Sequence, residues 1–538
     1  MRQYTVQQIG IFALLFLGCG DSKDTDDTAT QNNTTTNTSH DYETISTDST
    51  WTGNHTINGA LTINSTLTIE ACSTIHLAAN AYISIIDGGR IVSQGSEDCM
   101  VTFTSAENSP QAGDWAYIEI YTNGNVFDWT TIEYGGNDYA SIWVGDQGTV
   151  AITNSTFAHS EKGIELVSDA TLTAFENNTF IAMNEFIMSV TTEQVRSITP
   201  ITSIDNIGNF IEIKNSTLDR DSTWKNPSVP YKTSGFTLNA DVTVEAGTVF
   251  LIEEDSYITV TDSGSLINNG TQAAPIVYTS ASIEPQSGDW AYIDLYSNGN
   301  VFDWTVVEYG GKDFASVYCN DNSSISITNT VFSDSDKALH MRDGSTLHTF
   351  SNNTFTRIQE YPITVSPDHV AHLGSLTASE NEHPSIEVSY GRLSSNGTWK
   401  NLALPYSINN MHINAIVTVE AGTTLWMVPD ALITINDSGS LILDGTATAS
   451  ITVTSEKGTP LAGDWQEFDF YATSNNNNRF SYTNIMYGGG GGYGAVWLEE
   501  GAHLTLDHVT FSNNEQCDLH FASFSDVVIG SSTYNSCN

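Results

Sequence analysis

Gly113-Asp114-Trp115-Ala116-Tyr117-Ile118-Glu119-Ile120-Tyr121 returns as Gly288-Asp289-Trp290-Ala291-Tyr292-Ile293-Asp294-Leu295-Tyr296. It returns again, altered, as Gly463-Asp464-Trp465-Gln466-Glu467-Phe468-Asp469-Phe470-Tyr471. Both intervals are 175 residues, so one structural unit is built three times. Between 113–136 and 288–311, 19 of 24 positions are identical, which fixes the alignment. Outward from this stretch, Trp51, Trp224 and Trp399 open the copies. Leu67-Thr68-Ile69-Glu70-Ala71 matches Val242-Thr243-Val244-Glu245-Ala246 and Val417-Thr418-Val419-Glu420-Ala421. The copies occupy residues 46–218, 219–393 and 394–538. The third carries insertions at Asn475–Asn478 and in the glycine run Gly488–Gly492, and it stops early.

Each copy holds a shorter period. Asn154-Ser155-Thr156-Phe157 is echoed 23 residues on by Asn177-Asn178-Thr179-Phe180, and the pair recurs at 329–332 and 352–355. Between these lie short β-branched runs bounded by Gly, Asn, Asp or Ser, with no helical period after residue 20. Such a pattern predicts an all-β parallel β-helix of about 20 coils, because one coil buries its inner face only by stacking on the next. A recurrent Asn at a corner suits left-handed backbone and can hydrogen-bond its equivalent one coil on. A propeller blade would need hairpin signals that this pattern lacks.

The order Thr-Trp, Pro-Tyr (Pro230-Tyr231, Pro405-Tyr406), Thr-Val-Glu-Ala-Gly-Thr, Gly-Ser-Leu, Gly-Thr, Gly-Asp-Trp and Tyr-Gly-Gly resembles bacterial right-handed parallel β-helix surface proteins. The resemblance implies the pectin-lyase-like fold. That fold hosts lyases, hydrolases, adhesins and passive stalks, so it leaves activity open. Copy one lacks the Pro-Tyr and reads Ala71-Cys72 where the others read Ala-Gly.

The N-terminus reads as an address. Residues 1–19 have a positive start at Arg2 and an apolar run from Ile9 to Leu17, too short to span a bilayer. Phe16-Leu17-Gly18-Cys19 resembles a bacterial lipobox, which implies lipidation of Cys19. Residues 20–45, acidic and Thr/Asn-rich, read as a solvated tether. Gly20 after the Cys, by resemblance to bacterial lipoproteins, points to the outer membrane, and the acidic stretch to surface export. The membrane is then touched through the lipid alone.

Formal charge is −46, from 63 acidic against 17 basic residues. Such a surface repels nucleic acid and anionic lipid, and gives no electrostatic pull on polyuronates. Five Cys follow Cys19. Cys72 and Cys99 replace Gly and Ala of the other copies together and lie about one coil apart, which predicts a disulfide between neighbouring coils. Cys517 and Cys537 suit a staple on the last coil, and Cys319 a buried small hydrophobe. No paired Cys/His spacing suggests zinc, and no metal or cofactor is expected. Ca²⁺ between the Asp- and Asn-rich loops is the alternative, although Asp262-Ser263-Gly264 and Asp437-Ser438-Gly439 read more simply as tight turns.

No residue set supports a catalytic assignment. The arginines Arg90, Arg196, Arg342, Arg357, Arg392 and Arg479 do not recur between copies, and polygalacturonase-type motifs are absent. His369, His372 and His383 read as solvent-facing. The 113–121 stretch offers more. Alternation turns Ala116, Ile118 and Ile120 inward, and Trp115, Tyr117, Glu119 and Tyr121 outward. The counterparts are Trp290, Tyr292, Asp294 and Tyr296, then Trp465, Glu467, Asp469 and Tyr471. Rings beside carboxylates suit a sugar, whose C–H faces stack while its hydroxyls reach the acid. Three such sites on a rod would add avidity for a polysaccharide or surface glycan. Copy three, with Glu467 in place of a Tyr, would then be the weakest. Alternatively the loop at Ala106–Ala112 covers the rings as a structural seam. The leading expectation is a surface adhesion or glycan-contact module without catalysis. A polysaccharide lyase or hydrolase with an unfamiliar site and a passive stalk are the alternatives.

Overall fold

Strand follows strand with a corner between, and most strands pair in parallel with the one a full turn later. The structure, a computed structural model, describes residues 37–537. Sixty strands of two to six residues wind at three per turn, about 20 turns, with one four-residue α-helix and one 3₁₀ turn. The coil is a parallel β-helix with almost no α-helix among the described residues. Side chains alternate as the pleat dictates: in Thr66–Glu70 and Thr74–Leu77, Leu67, Ile69, Ile75 and Leu77 are buried while the Thr and His between them reach outward.

The corner asparagines do two jobs. Asn154, Asn177, Asn329 and Asn352 sit at φ between +52° and +57°, the left-handed region Asn tolerates. Asn177 donates to Asn154 one coil below at 3.1 Å. Their neighbours Asn178 and Asn353 point inward and join successive coils. Asn178 donates to the Ile152 carbonyl at 2.9 Å and accepts from the Ser155 amide at 3.1 Å. Fully buried, these amides satisfy corner groups that would otherwise be orphaned.

The coil begins earlier than the sequence suggests. The tether was expected to run to residue 45, but strands form at Thr38–His40 and Glu43–Ile45. His40 is buried, stacks on Trp51 at 4.3 Å and meets His55 at 3.0 Å. A core histidine hides such a coil from a reading based on apolar residues. Cys19, the signal peptide and residues 20–36 of the tether lie outside the described residues. His369 also corrects its expectation. It is buried, with Nδ1 2.8 Å from Ser366 Oγ and Nε2 2.8 Å from the Ser345 carbonyl, and burial holds its pKa below the usual value. His372 and His383 are exposed.

Cys72 and Cys99 are disulfide-linked with Cα atoms 5.0 Å apart, between turns of adjacent coils. In copies two and three the same corner holds a glycine against an alanine. A Cβ on Gly247 would lie 3.5 Å from that of Ala274, and one on Gly422 3.6 Å from that of Ala449. Cys517 and Cys537 are linked in the last coil, and Cys319 is buried in the wall, its thiol pushed up to about 12 by desolvation.

Three strands per turn give the repeats an unexpected geometry. The strand Ile118–Ile120 lies in a 15-stranded ladder. Seven turns along that ladder comes Ile276–Ser280, the counterpart of Val101–Ser105, while Ile293–Leu295 sits one corner further, in the next ladder. Ile293–Leu295 relates in the same way to Phe468–Phe470, which lies in a third ladder. The helical segments Thr192–Val195 and Pro367–His372 each take the place of one strand. They bring each repeat to 22 segments, or seven turns and a third. Equivalent sites therefore face three directions, about a third of a turn apart.

Candidate functional site

The Gly-Asp-Trp triplet is architecture. Gly113, Gly288 and Gly463 have φ between +76° and +80°. Asp114 then clamps the loop before it, accepting from Ser105 Oγ at 2.6 Å and from the Gln111 amide at 3.0 Å. Asp289 repeats both contacts, and Asp464 adds Lys457 Nζ at 2.7 Å. Trp115, Trp290 and Trp465 are fully buried, against the outward placement expected from alternation. The strand starts only at Ile118, so the pleat does not govern Trp115. Each indole N–H donates to a backbone carbonyl: Glu133 at 2.8 Å, Glu308 at 2.9 Å and Met486 at 2.8 Å. The Tyr-Gly-Gly run lies directly on the ring. A Cβ on Gly135, Gly310 or Gly488 would lie 2.4–2.6 Å from the indole, so only glycine lets the next corner close over it.

The rest of the stretch does face out, and it is joined by rings the sequence reading missed. Tyr117 packs at 5.4 Å on Tyr82 of the previous coil and at 5.1 Å on Tyr139. Trp143, directly above Glu119 in the ladder, lies 5.3 Å from both Tyr121 and Tyr139. Copy two repeats the cluster with Tyr257, Tyr292, Phe314 and Tyr318 at 4.8–5.4 Å between neighbours, around Asp294 and Tyr296. Tyr121 and Tyr139 are 45% and 46% exposed, Tyr296 and Phe314 43% and 45%, which leaves ring faces open to solvent. Tyr139 and Trp143 recur at the 175-residue interval as Phe314 and Tyr318, a signal present in the sequence.

Copy three departs from this. Tyr493, Trp497 and His520 form the aromatic wall, with Trp497 and His520 4.3 Å apart. Where copies one and two place Tyr117 and Tyr292, Glu467 is buried, and the inserted glycines fold onto it: a Cβ on Gly491 would meet its Oε2 at 2.1 Å. Asp469 follows on the same strand face. In copy two, Asn320 donates to Asp294, but Glu499 stands at the corresponding corner of copy three. Burial, then the neighbouring Asp469, pushes the Glu467 carboxyl up to about 7. Burial, then Glu499, pushes Asp469 up to about 6.

These raised values set a pH dependence. The folded state holds these protons more tightly than the unfolded chain, so the pair favours folding at low pH and that contribution is lost as pH rises through about 6 to 7. Glu467→Gln should raise Tm at pH 8 and change it little at pH 5, by thermal denaturation at both values. An equal shift at both would contradict this.

Among the described residues no three His, Cys, Asp or Glu side chains converge to hold a metal ion, and no helix is long and apolar enough to cross a membrane. A family model described as a pectate-lyase like beta helix domain matches residues 43–141 and 209–327. No curated protein matches the chain.

Proposed function

Taking the chain as a pectin-lyase-like parallel β-helix repeat protein, we propose that it holds glycans, without cleaving them, on the aromatic–acidic patches of its outer wall. The observation that carries this reading is the recurrence of solvent-open rings around an outward carboxylate, Tyr117, Tyr121, Tyr139 and Trp143 about Glu119, then Tyr292, Tyr296, Phe314 and Tyr318 about Asp294. Burying these rings is not needed to close the core, which the Ile, Leu, Val and buried Trp side chains fill. Stacking on sugar C–H faces uses such rings at little ordering cost. Because the patches face three directions, one flat glycan layer meets one patch. A long polymer winding about the rod, or separate chains, would meet all three, which narrows the avidity expected from the sequence.

Lipidation at Cys19 would place this wall on the outer surface of a bacterial outer membrane. A Cys19→Ser variant released from the membrane fraction supports that placement, and one retained there argues against it.

On a glycan array, the full chain should bind with selectivity. Combined Tyr121→Ala, Tyr139→Ala, Tyr296→Ala and Phe314→Ala should cut binding at least tenfold while Tm moves little. Unchanged binding would sink the reading. A polysaccharide hydrolase is the second reading, favoured by the paired carboxylates Glu467 and Asp469.

A further inference from the structure

The third patch is chemically unlike the other two. Tyr292 of copy two is replaced by Glu467 and Asn320 by Glu499, so one carboxylate with an amide donor becomes three carboxylates without it. Glu467 is 6% exposed and its Oε2 has no hydrogen-bond partner. Asp469 Oδ1 and His520 Nδ1 are likewise buried and unpartnered. Three unsatisfied atoms in one patch form an incomplete network, since most buried polar groups are paired. The two carboxylate oxygens lack a donor, and His520 Nδ1 takes either role with its tautomer. The nearest Lys and Arg in sequence, Lys457 and Arg479, are engaged by Asp464 at 2.7 Å and by Asp444 at 2.8 Å.

The surroundings say what kind of donor fits. Asp469, Glu499, Trp497 and His520 are half-buried, so the patch is reached from their side, with Tyr471 at its rim. Trp497 lies in the ladder between Asp469 and His520, and Tyr493 lies 5.3 Å from it. An ammonium held by carboxylates against aromatic faces gains both charge-assisted hydrogen bonds and cation–π attraction. Metal ions need three or more converging ligands, which this patch does not offer.

We propose that the third patch binds a protonated primary amine carried on a sugar, an unacetylated amino sugar being the simplest such ligand. The inference rests on the glycan-contact reading and assigns a ligand class to one of its three sites. The amine lies at Asp469, which neighbours Glu467 on one side and Glu499 on the other, and the ring of the sugar lies on Trp497. Binding deprotonates carboxylates that are partly protonated in the free protein, so protons are released near neutral pH.

Calorimetry on the full chain with a glucosamine trimer, an N-acetylglucosamine trimer and CaCl₂ tests this. The glucosamine trimer should bind, with protons released between buffers of different ionisation heat at pH 6.5. The acetylated trimer should bind at least tenfold more weakly. Glu467→Gln with Asp469→Asn should abolish amine binding, as should Trp497→Leu, while Ile283→Ala, at a fully exposed position outside the three patches, leaves it intact. The buffer comparison needs no variant, so a misfolded variant does not shield the proposal. Equal affinity for both trimers, no proton release, or a calcium heat lost in the double variant would each overturn it. If amine binding fails but neutral glycans are still retained through Tyr121, Tyr139, Tyr296 and Phe314, the amine assignment falls and the glycan reading stands. If neither occurs, both fall.

Discussion

Trp115→Ala should destabilise the chain by about 3–5 kcal/mol, the cost of emptying a core site that size. The indole is fully buried and its N–H is held by the Glu133 carbonyl at 2.8 Å, so the cavity leaves an orphaned acceptor as well. Gly135→Ala attacks the same contact from the other side. Its methyl would sit 2.4 Å from the ring, and the hydrogen bond keeps the ring from retreating. Overpacking of this kind costs about 1–3 kcal/mol. Combining the two should cost less than their sum, because alanine at 115 makes room for alanine at 135. Stability in a solenoid is local, so native-state hydrogen exchange across 101–160 should report the loss before a global melt does. Tyr121→Ala, on the outer wall, should stay within about 0.5 kcal/mol. If Trp115→Ala cost no more than Tyr121→Ala, the buried seam would be wrong.

Removing the first disulfide with Cys72→Gly and Cys99→Ala should cost about 2–4 kcal/mol, as expected for a closed loop of 27 residues. The lower part of that range is favoured, because Cys72 sits at φ +65° and glycine relieves that backbone. The pair also reproduces what copies two and three already carry at Gly247–Ala274 and Gly422–Ala449, so the coil should still close. Thermal denaturation with and without reductant measures the effect. Reductant should lower Tm in the parent chain and lower it less in the variant, which keeps only Cys517–Cys537. Equal responses would place no stabilising bond at Cys72–Cys99.

Much of the fold was legible because a solenoid writes its period into its sequence. The 23-residue echo of Asn-x-Thr-Phe gave the coil, and the corner asparagines took the left-handed conformation that their chemistry suggested. The paired change at 72 and 99 marked adjacent coils. Two features stayed hidden for physical reasons. Alternation holds only inside a strand, and Trp115 precedes the strand by three residues, so its side chain turned in when the pattern said out. The rotation of equivalent sites by one face depends on four helical residues at Thr192–Val195 and six at Pro367–His372, too short to show a helical period.

The outer patches were half legible. Tyr117, Glu119 and Tyr121 could be placed by alternation, but Tyr139 and Trp143 come from a corner and the next coil, and only stacking brings them together. Copy three was expected to be the weakest version because a ring is lost at Glu467. Its glycine insertion instead buries that acid, and no count of aromatic residues reveals this.

Incubating the full chain with the polysaccharides it retains, and then recovering the polymer, tests binding without turnover most directly. Polymer recovered at its original length, with no new reducing or unsaturated ends, is the predicted result. New chain ends that vanish in Glu467→Gln with Asp469→Asn would contradict it and make the third patch a catalytic one.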